Sequence, residues 1–144
     1  MPGRKGRFPL CARNRAAVLL LDTSFLIALS REEEHRQADV AVAFLRWHRG
    51  RPTVVSLVAA GEYLEAVEDV NAAVRFLKRH TLIGLSLPIV RKGAELQARL
   101  GQRLGENDAW LAATALTHGF TLVTADRDFA RVPRLEILDF THAA

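Results

Sequence analysis

Residues 16–27 read Ala-Ala-Val-Leu-Leu-Leu-Asp-Thr-Ser-Phe-Leu-Ile, and this stretch decides the fold. Positions 16–21 form a short, continuous apolar run. Such a run suits a strand buried on both faces, as in a parallel sheet. Asp22, Thr23 and Ser24 end the run and open a short helix over 23–30. With the basic residues before it, the segment imitates a secretion signal. Asp22 stands in the middle of that stretch, and a charge there is expensive in lipid. No uninterrupted run approaches the ~20 apolar residues that a membrane span needs.

Working outward, Ala38, Ala41, Val42 and Leu45 recur at helical spacing within a helix expected over 32–47, which Gly50, Arg51 and Pro52 break. Residues 53–56 read as a second strand, 57–70 and 72–79 as helices, and 82–87 as a third strand. Pro88 opens a helix to about 104, closed by Gly105. Asn107 or Asp108 caps the next, which ends at His118-Gly119. Residues 120–124 and 135–138 complete the strands. Strands and helices alternate, which predicts a three-layer α/β/α domain with a mostly parallel sheet and right-handed crossovers.

The length, 144 residues, suits one domain. A 49% hydrophobic and 25% charged composition is that of an ordinary globular chain and excludes disorder. The single cysteine, Cys11, excludes an intramolecular disulfide and a cysteine zinc site, and points to a reducing cytoplasm. The net charge is +4, yet residues 1–16 hold Arg4, Lys5, Arg7, Arg13 and Arg15 and no acid. Without those five, 15 basic residues face 16 acidic ones. Residues 1–16 therefore read as a basic tail without fixed structure, or as a start codon placed too far upstream, and 17–144 as the domain. Such a tail can touch RNA or anionic lipid.

In open parallel sheets, sites form at the carboxyl ends of the strands. Asp22 follows the first strand directly and Asp126 lies just past 120–124. Asp108 opens a helix, and Glu62 lies one and a half turns into the helix after the second strand. Taken singly, each has a plain structural reading: a helix cap, a turn residue, or part of a solvated face with Glu65 and Asp69. Taken together, clustered carboxylates repel one another and need a cation. Hard oxygen ligands select Mg²⁺ or Mn²⁺, which can activate water against a phosphodiester.

The motifs around these acids resemble those of the PIN-domain nucleases, and within them the VapC toxins of toxin–antitoxin pairs. Leu19-Leu-Leu-Asp22-Thr23-Ser24-Phe25-Leu26-Ile27 is similar to the family's first motif, and Ser56-Leu-Val-Ala-Ala-Gly61-Glu62-Tyr-Leu to its second. Asn107-Asp108-Ala-Trp110-Leu-Ala-Ala-Thr-Ala is similar to the third, and Leu122-Val-Thr124-Ala-Asp126-Arg-Asp128-Phe129 to the fourth. Gly61 departs from the pattern, being unusual in a helix interior. The resemblance implies a five-stranded sheet and a Mg²⁺- or Mn²⁺-dependent ribonuclease. It implies that Asp22 and Asp108 bind the metal most directly, and that Glu62 and Asp126 complete the site. Asp128 is a further candidate, and Thr23, Ser24 and Thr124 would orient the carboxylates. It also implies a small VapB-like antitoxin as partner, an RNA substrate and a homodimer.

Arg91, Lys92, Arg99 and Arg103 precede Asp108 and read as a solvated face; the functional alternative is a phosphate-guiding rim, with Arg99 and Arg103 as the candidates. Trp47 and Trp110 fall on apolar helical patterns and read as core. His118 reads as a helix end, and His35, His48, His80 and His142 as surface residues. Two other functions fit the pattern: a catalytically silent scaffold of the same fold, or another Mg²⁺-dependent α/β phosphotransfer protein.

Overall fold

A computed structural model describes residues 17–142. The expectation for residues 1–16 lies outside the described residues. Strand β1 is Leu19–Leu21, followed by helices α1 (Thr23–His35) and α2 (Val40–Trp47). Then come β2 (Thr53–Ser56), α3 (Leu57–Ala66), α4 (Val70–Lys78) and β3 (Thr81–Ile83). Helices α5 (Leu87–Arg99) and α6 (Glu106–His118) lead to β4 (Thr121–Thr124), and β5 is Ile137–Asp139. Short 3-10 turns occupy Arg127–Arg131 and Phe140–His142.

The five strands pair in the order β3-β2-β1-β4-β5. All four pairings are parallel, so the expected mostly parallel sheet is wholly parallel. Strand β1 is central, and Leu19, Leu20 and Leu21 are buried on both faces, as the apolar run requires. Leu21 pairs with Val55 on one side and Val123 on the other. The chain leaves β1 toward β2 and returns on the far side at β4. That reversal opens a crevice at the carboxyl ends of β1 and β4.

Side-chain caps start three of the helices. Asp22 accepts the Phe25 amide at 3.1 Å, Ser56 accepts Val58 at 3.1 Å, and Asp69 accepts Ala72 at 3.0 Å. Phe25 packs edge-on against Phe44 and Phe140, with ring centroids 5.6 and 4.9 Å away. That cluster fastens α1, α2 and the C-terminal turn together.

Several expected boundaries shift for local reasons. The helix expected over 32–47 is broken, because Arg36 takes a left-handed conformation (φ 53°) and ends α1. Helix α3 stops at Ala66 because Asp69 caps α4. Helix α5 stops at Arg99, and Gln97 then holds the Leu104 amide and carbonyl, both at 2.9 Å. Neither Asn107 nor Asp108 caps α6: Gly105 stands at that position, and both residues lie in the first turn. Trp47 is not core. His48 continues the buried face of α2 and stacks on Phe44, leaving Trp47 72% exposed. His48 and His80 are half-buried. Trp110 does pack inward, against Gly93, where a Cβ would lie 3.1 Å from its ring. Gly61 is exposed within α3 and a Cβ there would meet nothing, so it places no strain on Glu62.

Glu32 was not singled out by the sequence, yet it anchors the α1–α2 corner. Its buried carboxylate accepts the amides of Asp39, Ala41 and Val42 at 2.7, 2.8 and 2.9 Å. These are the otherwise unpaired donors at the start of α2. Glu32→Ala is expected to lower the unfolding free energy by about 2–3 kcal/mol in urea titrations, because the buried amides lose a charged acceptor. Glu32→Gln should lose about half as much.

Candidate active site

The fold brings the four acids singled out by the sequence to one end of the sheet. Asp22 follows β1, and Asp126 lies two residues past β4 and caps the Arg127–Arg131 turn. Glu62 projects from α3, and Asp108 from the first turn of α6.

Asp22 is the most enclosed, at 5% exposed. Its Oδ1 accepts from the Ser24 hydroxyl at 2.7 Å and from the Phe25 amide. Its Oδ2 accepts from the Thr124 hydroxyl. Burial pushes its pKa above the usual carboxylate range, against the pull of those donors. Thr124 also accepts the Asp126 amide at 3.0 Å, so one hydroxyl ties the ends of β1 and β4 together. Glu62 is held from both sides: Thr23 donates to its Oε1 at 2.8 Å and Asn107 to its Oε2 at 3.0 Å. Thr23, Ser24 and Thr124 thus all bond the carboxylates they were expected to orient.

Asp108 is pushed up to about 6, first by burial and then by repulsion from Asp126, Glu62, Asp22 and Asp128. Among the described residues, no lysine or arginine is ion-paired with Asp22, Glu62, Asp108 or Asp126. Asp128 differs. Arg131 grips both its oxygens at 2.7 and 3.1 Å and holds it below the usual range. Arg131 also donates to the Gln102 carbonyl at 2.8 Å, joining the turn after β4 to the loop before Asp108. Asn107 and Arg131 were missed as site residues. Their signals were adjacency to Asp108 and an i, i+3 spacing from Asp128.

The oxygen donors and the uncompensated charge fit a hard divalent cation. Among the described residues, no three acidic, histidine or cysteine side chains are grouped closely enough to hold one ion. The carboxylates stand apart, with Asp22, Glu62 and Asp126 tied by hydrogen bonds of their own. Arg99 and Arg103 are exposed on the approach to α6, without ion pairs among the described residues, whereas Arg91 is paired with Glu95 at 3.1 Å. A cavity of about 700 Å³ lies apart from the acids, between α1, α3 and α4, lined by Tyr63, Phe76, Arg31 and Arg79 among others.

The family model for the PIN domain matches residues 19–135. The chain is 34% identical over 121 residues to ribonuclease VapC5 of Mycobacterium tuberculosis, covering 77% of this chain and 84% of that one. It is 29% identical over 134 residues to ribonuclease VapC1 of Rickettsia felis, covering 83% and 94%. Among solved structures, DNA-bound VapBC from Salmonella typhimurium superposes with a TM-score of 0.71 at 19% identity, covering 86% and 98%. At that identity the likeness establishes the fold.

The raised pKa of Asp108 has a consequence for stability. The folded chain binds this proton more tightly than the unfolded chain, whose group titrates near 3.8. The associated stability is complete below about pH 4 and is lost as pH rises through about 6. In metal-free buffer at pH 7.5, Asp108→Asn is therefore expected to melt above the parent, with the gap closing by pH 4. Mg²⁺ should raise the melting temperature of the parent and not of the variant. Equal melting temperatures at pH 7.5 would remove the case for an uncompensated cluster.

Proposed function

Because the chain belongs to the PIN-domain family, we propose that it is a divalent-metal-dependent endoribonuclease, the toxin of a toxin–antitoxin pair, with a VapB-like antitoxin as its protein partner. The observation that carries this reading is the group Asp22, Glu62, Asp108 and Asp126, none of which is ion-paired with a lysine or arginine among the described residues. Such a set costs stability and is explained by an ion and a reaction. The relatives from M. tuberculosis and R. felis are ribonucleases, and the Salmonella neighbour is a VapBC complex. The reading includes a homodimer acting in the cytoplasm. No described helix is long and apolar enough to cross a membrane.

We assign Asp22 and Asp108 the most direct hold on the ion, with Glu62 and Asp126 completing its surroundings. Mg²⁺ or Mn²⁺ there supplies positive charge that offsets the phosphodiester and acidifies water. Asp22 arrives oriented, since Ser24, Thr124 and the Phe25 amide restrict how its carboxylate turns. Thr23 and Asn107 do the same for Glu62. Asp126 is exposed, with its Oδ1 on the Asp128 amide at 2.9 Å, and its second oxygen is free to receive a proton from attacking water. Asp128 stays with Arg131 and acts as a strut. Arg99 and Arg103 meet RNA phosphates on the approach to Asp108.

Purified protein is expected to cleave RNA with Mg²⁺ or Mn²⁺ and to stop in EDTA. The rate should fall as pH is lowered, because protons compete with the ion for Asp108. Asp108→Asn should lower kcat by roughly a thousandfold or more, with the circular dichroism spectrum unchanged. Thr124→Val, which removes the hydroxyl between β1 and β4, should cost about 10- to 100-fold. Cleavage that persists in EDTA rules the reading out.

A further inference from the structure

The hydrogen bonds around the four carboxylates close into a ring. The Thr124 hydroxyl donates to Asp22 Oδ2 and accepts the Asp126 amide at 3.0 Å. Asp126 Oδ1 accepts the Asp128 amide at 2.9 Å, and Arg131 holds both oxygens of Asp128 at 2.7 and 3.1 Å. The same guanidinium donates through its Nη1 to the Gln102 carbonyl at 2.8 Å. From Gln102 the chain runs on to Gly105, where a Cβ would lie 3.6 Å from Asp108 Oδ2. Asn107, next to Asp108, donates to one oxygen of Glu62 at 3.0 Å. Thr23, next to Asp22, donates to the other at 2.8 Å, and the ring is complete.

The members of this ring are not equally supported. Asp22 and Thr124 are buried where the central strands end. Both oxygens of Glu62 are bonded. The start of α6 has less to hold it. No side chain caps this helix, Glu106 and Asn107 are exposed, and its first amides lack helical partners. Apart from Asn107, the turn that carries Asp108 relies on the loop before it, and that loop is pinned twice. Gln97 of α5 pairs with the amide and the carbonyl of Leu104. Arg131 holds Gln102 from the turn after β4, which Phe129 and Val132 seat in the core. The Gln97 pair stays within the α5–α6 connection, whereas the Arg131 bond reaches across to the turn of Asp126.

We propose that Arg131 is a positioning residue for the ion: by bridging Asp128 and the Gln102 carbonyl, it fixes how far Asp108 stands from Asp126. This rests on the metal-dependent ribonuclease reading and goes beyond it, since an arginine, whose charge repels a cation, becomes part of what holds the cation in place. A guanidinium suits the task. Its planar fork serves a carboxylate and a carbonyl at once, and a single ammonium does not.

Charge and position predict opposite signs, so one titration separates them. Full-length protein is titrated with Mn²⁺ alone, and free ion is read by electron paramagnetic resonance. Removing a nearby positive charge would by itself tighten Mn²⁺ binding. Loss of position weakens it: Arg131→Met should raise Kd for Mn²⁺ about tenfold. Arg131→Lys keeps the charge and loses the fork, and should weaken binding nearly as much. Both variants should melt close to the parent in metal-free buffer, because an exposed ion pair contributes little, while the rise in Tm that Mn²⁺ brings shrinks. With saturating Mn²⁺, KM for RNA should stay parental and kcat should carry any loss. Unchanged or tighter Mn²⁺ binding in Arg131→Met overturns the proposal, as does parental binding in Arg131→Lys beside weak binding in Arg131→Met. A metal-free Tm that falls while the Mn²⁺-induced rise is kept makes Arg131 a support of the fold only. A raised KM with parental Mn²⁺ affinity makes it a phosphate contact, and also overturns the proposal. A parent protein that binds no Mn²⁺ fails the metal-dependent reading itself, which the same titration reports before any variant is compared.

Discussion

The buried carboxylate of Asp22 is the constraint around which the rest is arranged. A charge at the end of a central, fully buried strand is tolerated only if its oxygens are satisfied. Three partners meet that demand, and each comes from a different requirement of the fold. The Phe25 amide is an unpaired donor at the start of α1. Ser24 is local to the turn. Thr124 comes from a strand 102 residues further along, in register because Leu21 pairs with Val123. Helix start, turn and sheet register therefore converge on one side chain, and a slip in any of them would leave it unsatisfied.

The other acids add cost rather than relieve it. Glu62, Asp126 and Asp128 all raise Asp108, and among the described residues only Asp128 of these brings a cation, its own Arg131. Surface ion pairs contribute little by themselves. This one matters through geometry, since Arg131 also reaches the Gln102 carbonyl and so links two of the loops that carry the acids. The core and caps hold the cluster open against its own repulsion, a familiar tension between stability and activity.

Much of this was legible in the sequence. The apolar run ending in Asp22 announced a buried strand with an acid at its carboxyl end, and the alternation of elements announced the sheet. What stayed hidden depended on contacts between distant residues. Periodicity over 32–47 looked continuous because Arg36 can adopt a left-handed conformation without any glycine to signal it. Glu32 is the first of three consecutive glutamates, and nothing local to it marks its carboxylate as the acceptor for the start of α2. Trp47 matched a helical pattern, yet α2 ends as that residue is reached and His48 takes the inner position. Asp22 and Asp126 could be placed from strand ends alone. The approach of Glu62 and Asp108 depended on how α3 and α6 pack, which no local spacing encodes.

The strand order also bears on how the protein is made. Strand β1 is translated first but sits in the middle of the sheet, and its partner β4 comes about a hundred residues later. A growing chain can pair β1 with β2, but it cannot complete the surroundings of Asp22 before Thr124 has emerged, nor gather all four acids before Asp126. A product interrupted before Asp126 therefore lacks at least one of the four carboxylates. On the ribonuclease reading, activity therefore awaits the emergence of β4 and Asp126 from the ribosome.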